Sequence, residues 1–326
     1  MRAVQLSRFG GPELFEIVDI PTPVPGPGEV LVRMQAAGIN FFEALMRANR
    51  YAVTPDLPMI PGVEVAGIVE AAGPGVATPA VGARVAVPLF AIGRPTGGYA
   101  EYVAVDAAST VPLPDALSFE DAVALMVQGL TALHLARRAS PQDKTLLVTA
   151  AGGGVGTLLV QLARRAGARR LIAAAGSQDK LALAHSLGAD LGVDYTRPDW
   201  PAIVRDATGG KGVDIIHDLV GGETTRAGLA LLAPDGTLVF SPLGRFALTP
   251  ADMERLFAAN QTLSGFALLP LLTPEGMQSD LRHLFDLAVR GGITVVRGGR
   301  FPLAEVAAAH RLLDSRRSTG KIVLVP

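Results

Sequence analysis

Two patterns of apolar positions divide the chain. Up to about residue 118 the apolar residues come in short Val-rich runs: "EVLVRMQAAGI", "EVAGIVEAAG", "GARVAVPLF" and "YAEYVAV". Pro and Gly punctuation separates the runs. β-Branched runs with this punctuation predict the strands of a small, partly antiparallel barrel, interrupted by one helix near "NFFEALMRANR". From about residue 119 the pattern alternates. "KTLLVTA" reads as a strand and "VGTLLVQLARRAG" as a helix; "RLIAAA" is followed by "SQDKLALAHSLG", "LGVDY" by "DWPAIVRDATGG", and "VDIIHDLV" by "TTRAGLALLAP". "GTLVFS" and "TLSGFAL" are two further strand-like runs. Strands alternating with helices that carry an apolar stripe predict a parallel sheet covered on both faces, the doubly wound arrangement. The closing "GGRFPLAEVAAAHRLLDSRRSTGKIVLVP" reads as one helix and one strand that return to the first domain. The expected division is a first domain of 1–122 completed by 266–326, and a dinucleotide-binding domain of 123–265.

The totals narrow the class. A length of 326 residues suits two domains, and 49% hydrophobic with 18% charged residues is a globular composition. The formal net charge of −1 gives no reason to expect nucleic acid or an anionic membrane as partner. The absence of cysteine removes thiolate chemistry and Cys-ligated zinc. The start, "MRAVQLSRFGGPELF", has no secretory pattern, and "FALLPLL" is too short to cross a bilayer. The expectation is a soluble, cytoplasmic protein.

The glycine cluster "TAAGGGVG" carries the first chemistry. The strict GxGxxG pattern is not met: aligned on Gly156, its positions are Ala151, Gly153 and Gly156. Alone it is as well explained by a tight structural corner. Its place after a strand, opening a helix and starting a series of βα units, makes it a pyrophosphate turn. At the end of the next strand, where NAD-binding chains place an acidic residue, this one has "AAAGSQDK". Gly176, Ser177 and Lys180 there suit a ribose 2′-phosphate, which favours NADPH. The bland alternative makes Ser177 a helix cap and Lys180 a solvated face. Asp179 complicates the charge, although a first-turn acid also suits the helix dipole.

With the fold this far defined, the chain resembles the medium-chain dehydrogenase/reductase superfamily, in its zinc-independent quinone oxidoreductase (zeta-crystallin-like) branch. "GINFFEALMRANRY" is similar to that branch's Asn-containing segment; "TGGYAEY" matches its "GSYAEY"; "QGLTA" is unchanged; "AAGGGVG" stands for "AAAGGVG". "LGAD", "DY" and "DSRRSTGKIVLVP" are also similar, so the resemblance covers essentially the whole chain. It implies an α/β fold: a doubly wound parallel Rossmann domain plus a GroES-like, partly antiparallel β-barrel catalytic domain. The zinc branch needs a Cys near Asn40 and a His-Glu pair where Val63 and Glu64 stand; the five histidines, His134, His185, His217, His283 and His310, show no ligand spacing. No metal is expected.

The resemblance also implies roles. Asn40 faces the nicotinamide ribose and the substrate, and Tyr51 lies near the substrate. Gln128 and Thr131 sit by the nicotinamide. Gly153, Gly154 and Val155 lie on the pyrophosphate. Gly176, Ser177, Lys180, Tyr195 and Arg316 surround the adenosine ribose and 2′-phosphate. Ser241, Leu243 and Gly244, with Phe266, Ala267 and Leu268, line the rest of the cofactor. Each has a structural alternative: Asn40 a helix cap, Tyr51 a core edge, Glu64 a buried carboxylate paired with an Arg, His134 a satisfied core histidine, and Arg316 a solvated helix end. The chain departs from the branch at Leu45, at Glu43 (an Asp there), at "NR" before Tyr51 and at "SPLG".

The expected activity is NADPH-dependent, metal-free reduction of quinones or α,β-unsaturated carbonyls. Asn40 and Tyr51 are the candidate donors to the substrate oxygen, and a homodimer is expected. The alternatives are an enoyl-thioester reductase and a non-catalytic NADPH-binding module.

Overall fold

The computed structural model describes residues 1–242 and 248–326. It divides into one unit of residues 1–130 with 272–326 and a second of residues 131–271.

In the first unit, β1 (Arg2–Leu6) and β2 (Phe15–Asp19) form an antiparallel pair. β3 (Glu29–Ile39) is followed by α1 (Phe41–Arg47), β4 (Val65–Ala72), β5 (Arg84–Val87), β6 (Tyr102–Asp106) and β7 (Val111–Pro112). The long β3 is buried on most of its length because it pairs antiparallel with both β4 and β6. Val30, Val32, Met34 and Ile39 of β3, Val65 and Val69 of β4, and Val103 and Val105 of β6 share one core. α2 (Phe119–Ala124), capped by Ser118 through the Asp121 N–H at 3.0 Å, packs on β3 and β4. That packing keeps residues 119–130 with the first unit, where the change of pattern put the boundary at 122/123.

After one turn of π-helix (Leu125–Gly129), α3 (Leu130–Arg138) leads into the second unit. There β8 (Thr145–Val148), α4 (Gly154–Arg165), β9 (Arg170–Ala175), α5 (Gln178–Ser186), β10 (Leu191–Asp194), α6 (Trp200–Ala207), β11 (Val213–Asp218), α7 (Glu223–Leu229), β12 (Leu232–Phe240), α8 (Pro250–Ala258) and β13 (Thr262–Gly265) alternate. The six strands form one sheet in the order β10-β9-β8-β11-β12-β13, every pair parallel. All four residues of β8 are buried, as a strand covered on both faces requires. "TTRAGLALLAP" is not one helix: α7 stops at Leu229 and Leu232 opens β12, consistent with Pro234, which cannot continue a helix.

The chain then returns to the first unit through α9 (Pro274–Val289), β14 (Arg297–Pro302), α10 (Val306–Asp314) and β15 (Lys321–Val325). The return thus contains one helix and one strand more than the tail pattern suggests. β15 pairs antiparallel with β3 and parallel with β14, so the seven-stranded sheet of this unit is mixed.

Candidate functional site

In the second unit the sequence-predicted residues gather at one edge. Gly153 follows β8, Gly176 follows β9, Tyr195 follows β10, Ser241 follows β12 and Phe266 follows β13. These are the carboxyl ends of parallel strands, where open α/β sheets bind ligands. Leu243 and Gly244 lie outside the described residues.

The turn after β8 is held at both ends. The Thr149 hydroxyl donates to Asp218 at 3.1 Å and accepts the Leu219 N–H at 2.8 Å, tying the turn to the end of β11. The Ala151 N–H donates to the Ala174 carbonyl at 3.1 Å. Ala150 takes the left-handed conformation, φ 48°, uncommon for a residue with a Cβ; the GxGxxG comparison gives no signal for it. Gly156 is required by sterics: a Cβ there would stand 2.3 Å from the Ala150 carbonyl oxygen, so α4 could not pack on the strand. Gly153 caps α4 without a side chain, and Gly153, Gly154 and Val155 are partly exposed. A helix N-terminus suits an anionic group.

At the tip of β9, Ser177 caps α5 by accepting the Lys180 N–H at 3.4 Å. The Lys180 stem crosses the glycine turn: a Cβ on Gly152 would lie 2.7 Å from the Lys180 Cβ. A Cβ on Gly176 would lie 3.5 Å from the Tyr195 ring. Lys180 thus lies against the turn, Ser177 is tied to it by the cap, and Tyr195 lies against Gly176. Burial lowers the pKa of the Lys180 ammonium. Arg316 belongs to the first unit. It ends α10 in the left-handed conformation, φ 56°, with its N–H on the Leu313 carbonyl at 3.0 Å, so its backbone serves as a helix stop.

In the first unit Asn40 is buried, just before α1. Its Nδ2 donates to Glu64 Oε1 at 2.8 Å and to Glu43 Oε2 at 3.2 Å, and its Oδ1 accepts from Lys321 Nζ at 2.8 Å. Ammonium groups only donate and carboxylates only accept, so the neighbours fix the amide orientation. Both Asn40 amide hydrogens are committed to protein carboxylates. Lys321 also donates to Glu64, making a fully buried ion pair. Glu64 is the buried carboxylate expected from the sequence, but its partner is the Lys of "TGKIVLVP" rather than an Arg. Gly38 makes room for the pair, since a Cβ there would fall 2.2 Å from Glu64 Oε1. The other Glu64 oxygen accepts the Val127 N–H at 2.8 Å. The π-turn carrying Gln128 is thus tied to the Asn40 cluster by a backbone bond; π-turns concentrate at functional sites. Thr131 lies at the start of α3.

Glu43 is the residue the sequence reading noticed only as a departure. Its Oε2 also accepts the Asn40 backbone N–H at 2.8 Å. Burial, then the Glu64 charge, pushes its pKa up to about 7 despite Lys321. The Tyr99 hydroxyl faces the same carboxyl, and burial raises the Tyr99 pKa further above its usual range. Tyr51 lies beyond α1, half-buried and stacked on Phe42 with ring centres 5.4 Å apart. Burial raises its pKa, so the phenol keeps its proton.

A mixed barrel-like unit carrying Asn40 and Tyr51, joined to a doubly wound parallel sheet with a glycine turn, defines the medium-chain dehydrogenase/reductase architecture. Residues 26–115 match the alcohol dehydrogenase GroES-like domain family, and residues 187–324 the zinc-binding dehydrogenase family. A quinone oxidoreductase of Pseudomonas aeruginosa is 37% identical over 100% of this chain and 99% of its own. A 2-haloacrylate reductase of Burkholderia sp. is 32% identical over 99% of this chain and 98% of its own. The Escherichia coli quinone oxidoreductase, solved in complex with NADPH, superposes with a TM-score of 0.90 at 30% identity, each chain covered completely. The chain belongs to the quinone oxidoreductase branch of the medium-chain dehydrogenase/reductase superfamily.

Proposed function

We propose that the protein catalyses NADPH-dependent reduction of quinones or α,β-unsaturated carbonyls without zinc. The observation that carries this reading is the group at the tip of β9: a small residue, a hydroxyl and a tyrosine, with a lysine against the glycine turn and no carboxylate at the strand end. That set suits a 2′-phosphate. NADPH supplies the hydride when bound. The chain's residues do the rest. Gly153, Gly154 and Val155 receive the pyrophosphate on the α4 N-terminus, and Gly176, Ser177, Lys180, Tyr195 and Arg316 receive the adenosine end. Gln128 and Thr131 orient the nicotinamide end; Ser241, Phe266, Ala267 and Leu268 line the remainder.

Reduction puts negative charge on the substrate oxygen. Tyr51, holding its proton, donates to that oxygen and completes the reduction. Asn40 orients the site, because its amide hydrogens already go to Glu43 and Glu64. The donor set does not fit zinc. Asn40 stands near the Cys position, Val63 is apolar, Glu64 is paired to Lys321, and the chain has no cysteine.

The 2-haloacrylate reductase relative favours conjugated acids and carbonyls among the acceptors. A screen of NADPH oxidation over quinones, enones, 2-haloacrylates and enoyl thioesters tests the proposal. Turnover confined to enoyl thioesters selects the enoyl-thioester reductase reading. NADPH binding with no turnover selects a non-catalytic module. A cytoplasmic homodimer completes the reading; exposed Phe257, Leu269 and Leu271 lie beside the edge strand β13, a suitable dimer surface.

A further inference from the structure

The cluster behind Asn40 holds two carboxylates and one ammonium, Glu43, Glu64 and Lys321, all buried. Full ionisation would leave one uncompensated negative charge in the interior, which is costly. Geometry says where a neutralising proton belongs. Glu64 Oε1 accepts from Asn40 and Lys321 and its Oε2 from the Val127 N–H, so both oxygens act as acceptors. Glu43 Oε2 accepts two bonds from Asn40, whereas its Oε1 is buried with no well-aligned partner. Oε1 is the one carboxylate oxygen of the cluster open to a proton.

The charged and titratable groups facing Glu43 are Glu64, Lys321 of β15 and Tyr99, with His310 of α10 and Arg47 of α1 behind Tyr99. Arg47 Nη1 lies 3.2 Å from His310 Nδ1, and His310 Nε2 lies 3.4 Å from the Tyr99 hydroxyl. Arg47 can only donate, so Nδ1 accepts and neutral His310 carries its hydrogen on Nε2, directed at Tyr99. Tyr99 in turn faces the Glu43 carboxyl. This row carries no proton outward, because it ends at a guanidinium that gives up none. The proton on Glu43 therefore acts on Asn40.

We propose that Glu43 is a positioning residue for Asn40: its proton decides whether the Asn40 amide is held inward or is free to meet a ligand. The proposal rests on the NADPH-dependent reading above and on the resemblance by which Asn40 faces the nicotinamide ribose. Ionised Glu43 grips the amide with a charge-assisted bond; protonated Glu43 offers a neutral oxygen, roughly half as strong an acceptor. The 3.2 Å bond from Nδ2 is the one released. The burial-raised pKa of about 7 puts the change near neutrality, with the amide released on the acid side and held on the alkaline side.

Two measurements test this. In the ligand-free protein, the side-chain amide resonances of Asn40, identified by their loss in Asn40→Ala, are followed between about pH 6 and about pH 8. One is expected to shift across that range; a flat response overturns the proposal and needs no variant of Glu43. NADPH binding is then followed by its fluorescence at the same two pH values. The ratio of dissociation constants, pH 8 over pH 6, is expected to be roughly tenfold larger in wild type than in Glu43→Gln, which stays neutral; the difference corresponds to one hydrogen bond. Equal ratios overturn the coupling, and comparison with the variant removes the cofactor phosphate's own titration. A shifting amide in a protein that binds no NADPH at either pH upholds the role of Glu43 and instead overturns the proposed function.

Discussion

At Lys180 the Cβ to Cδ stem lies against Gly152, and partial burial lowers the pKa of its ammonium. Lys180→Ala should weaken NADPH binding roughly tenfold or more while changing NADH by less than about twofold; fluorescence titration with both cofactors reads the difference, and equal losses would remove the 2′-phosphate assignment. Lys321 is the converse case, a charge whose partner is inside. Lys321→Met strands Glu64 without its ammonium and should cost about 3–5 kcal/mol in urea unfolding. Adding Glu64→Gln should restore much of that, because the loss is the unpaired charge rather than lost packing. Tyr51→Phe should lower kcat and leave NADPH binding unchanged; full activity would dismiss Tyr51 as the donor. Lys180, Tyr51 and Asn40 could be singled out as candidates from the sequence because each sits in a local motif. The buried neighbours of Asn40 were not: Glu64 and Lys321 are 257 positions apart, and no local pattern pairs them.

At the scale of elements, the strand–turn–helix around Gly156 and the strand β11 make separate predictions. Gly156→Ala should destabilise the protein by about 1–3 kcal/mol, since the added methyl meets the Ala150 carbonyl and α4 must move away from the strand; thermal unfolding checks it. On β11, His217 is fully buried and neither ring nitrogen finds a partner among the described residues. Desolvation lowers its pKa to about 4. His217→Leu should hold or raise the melting temperature and flatten the loss of stability below about pH 6.5. Element types were readable from periodicity. The boundary after α7 and the π-turn were not: the first depends on where a strand pairs, the second on an N–H taken by a carboxylate 63 positions earlier.

For the whole molecule, the buried titratable groups set a pH window. Glu43 has a raised folded pKa, so its contribution is fully present below about 4.5 and is lost as pH rises through about 7. That amounts to roughly 3 kcal/mol at alkaline pH. His217 and His310 have depressed folded values, about 4 and about 3, so their contributions are present above about 6.5 and are lost as pH falls. Between about pH 4.5 and about pH 6.5 the two histidines outweigh Glu43, so the summed contribution of these groups rises with pH and levels off near pH 7. Denaturant unfolding across the range should show this rise and plateau, and Glu43→Gln should steepen the rise below about pH 7.

Taken alone, the sequence determined the family, the alternation that becomes a parallel sheet, and the glycine turn with the lysine-bearing tip beyond it. These follow from hydrophobic period, turn chemistry and motifs contained in a few neighbouring residues. Only the tertiary structure decided which way Asn40 faces, what neutralises Glu64, and that burial raises the Glu43 pKa. Those properties depend on burial and on contacts between residues from both ends of the chain. Desolvation shifts a pKa only once the surrounding chain has excluded water.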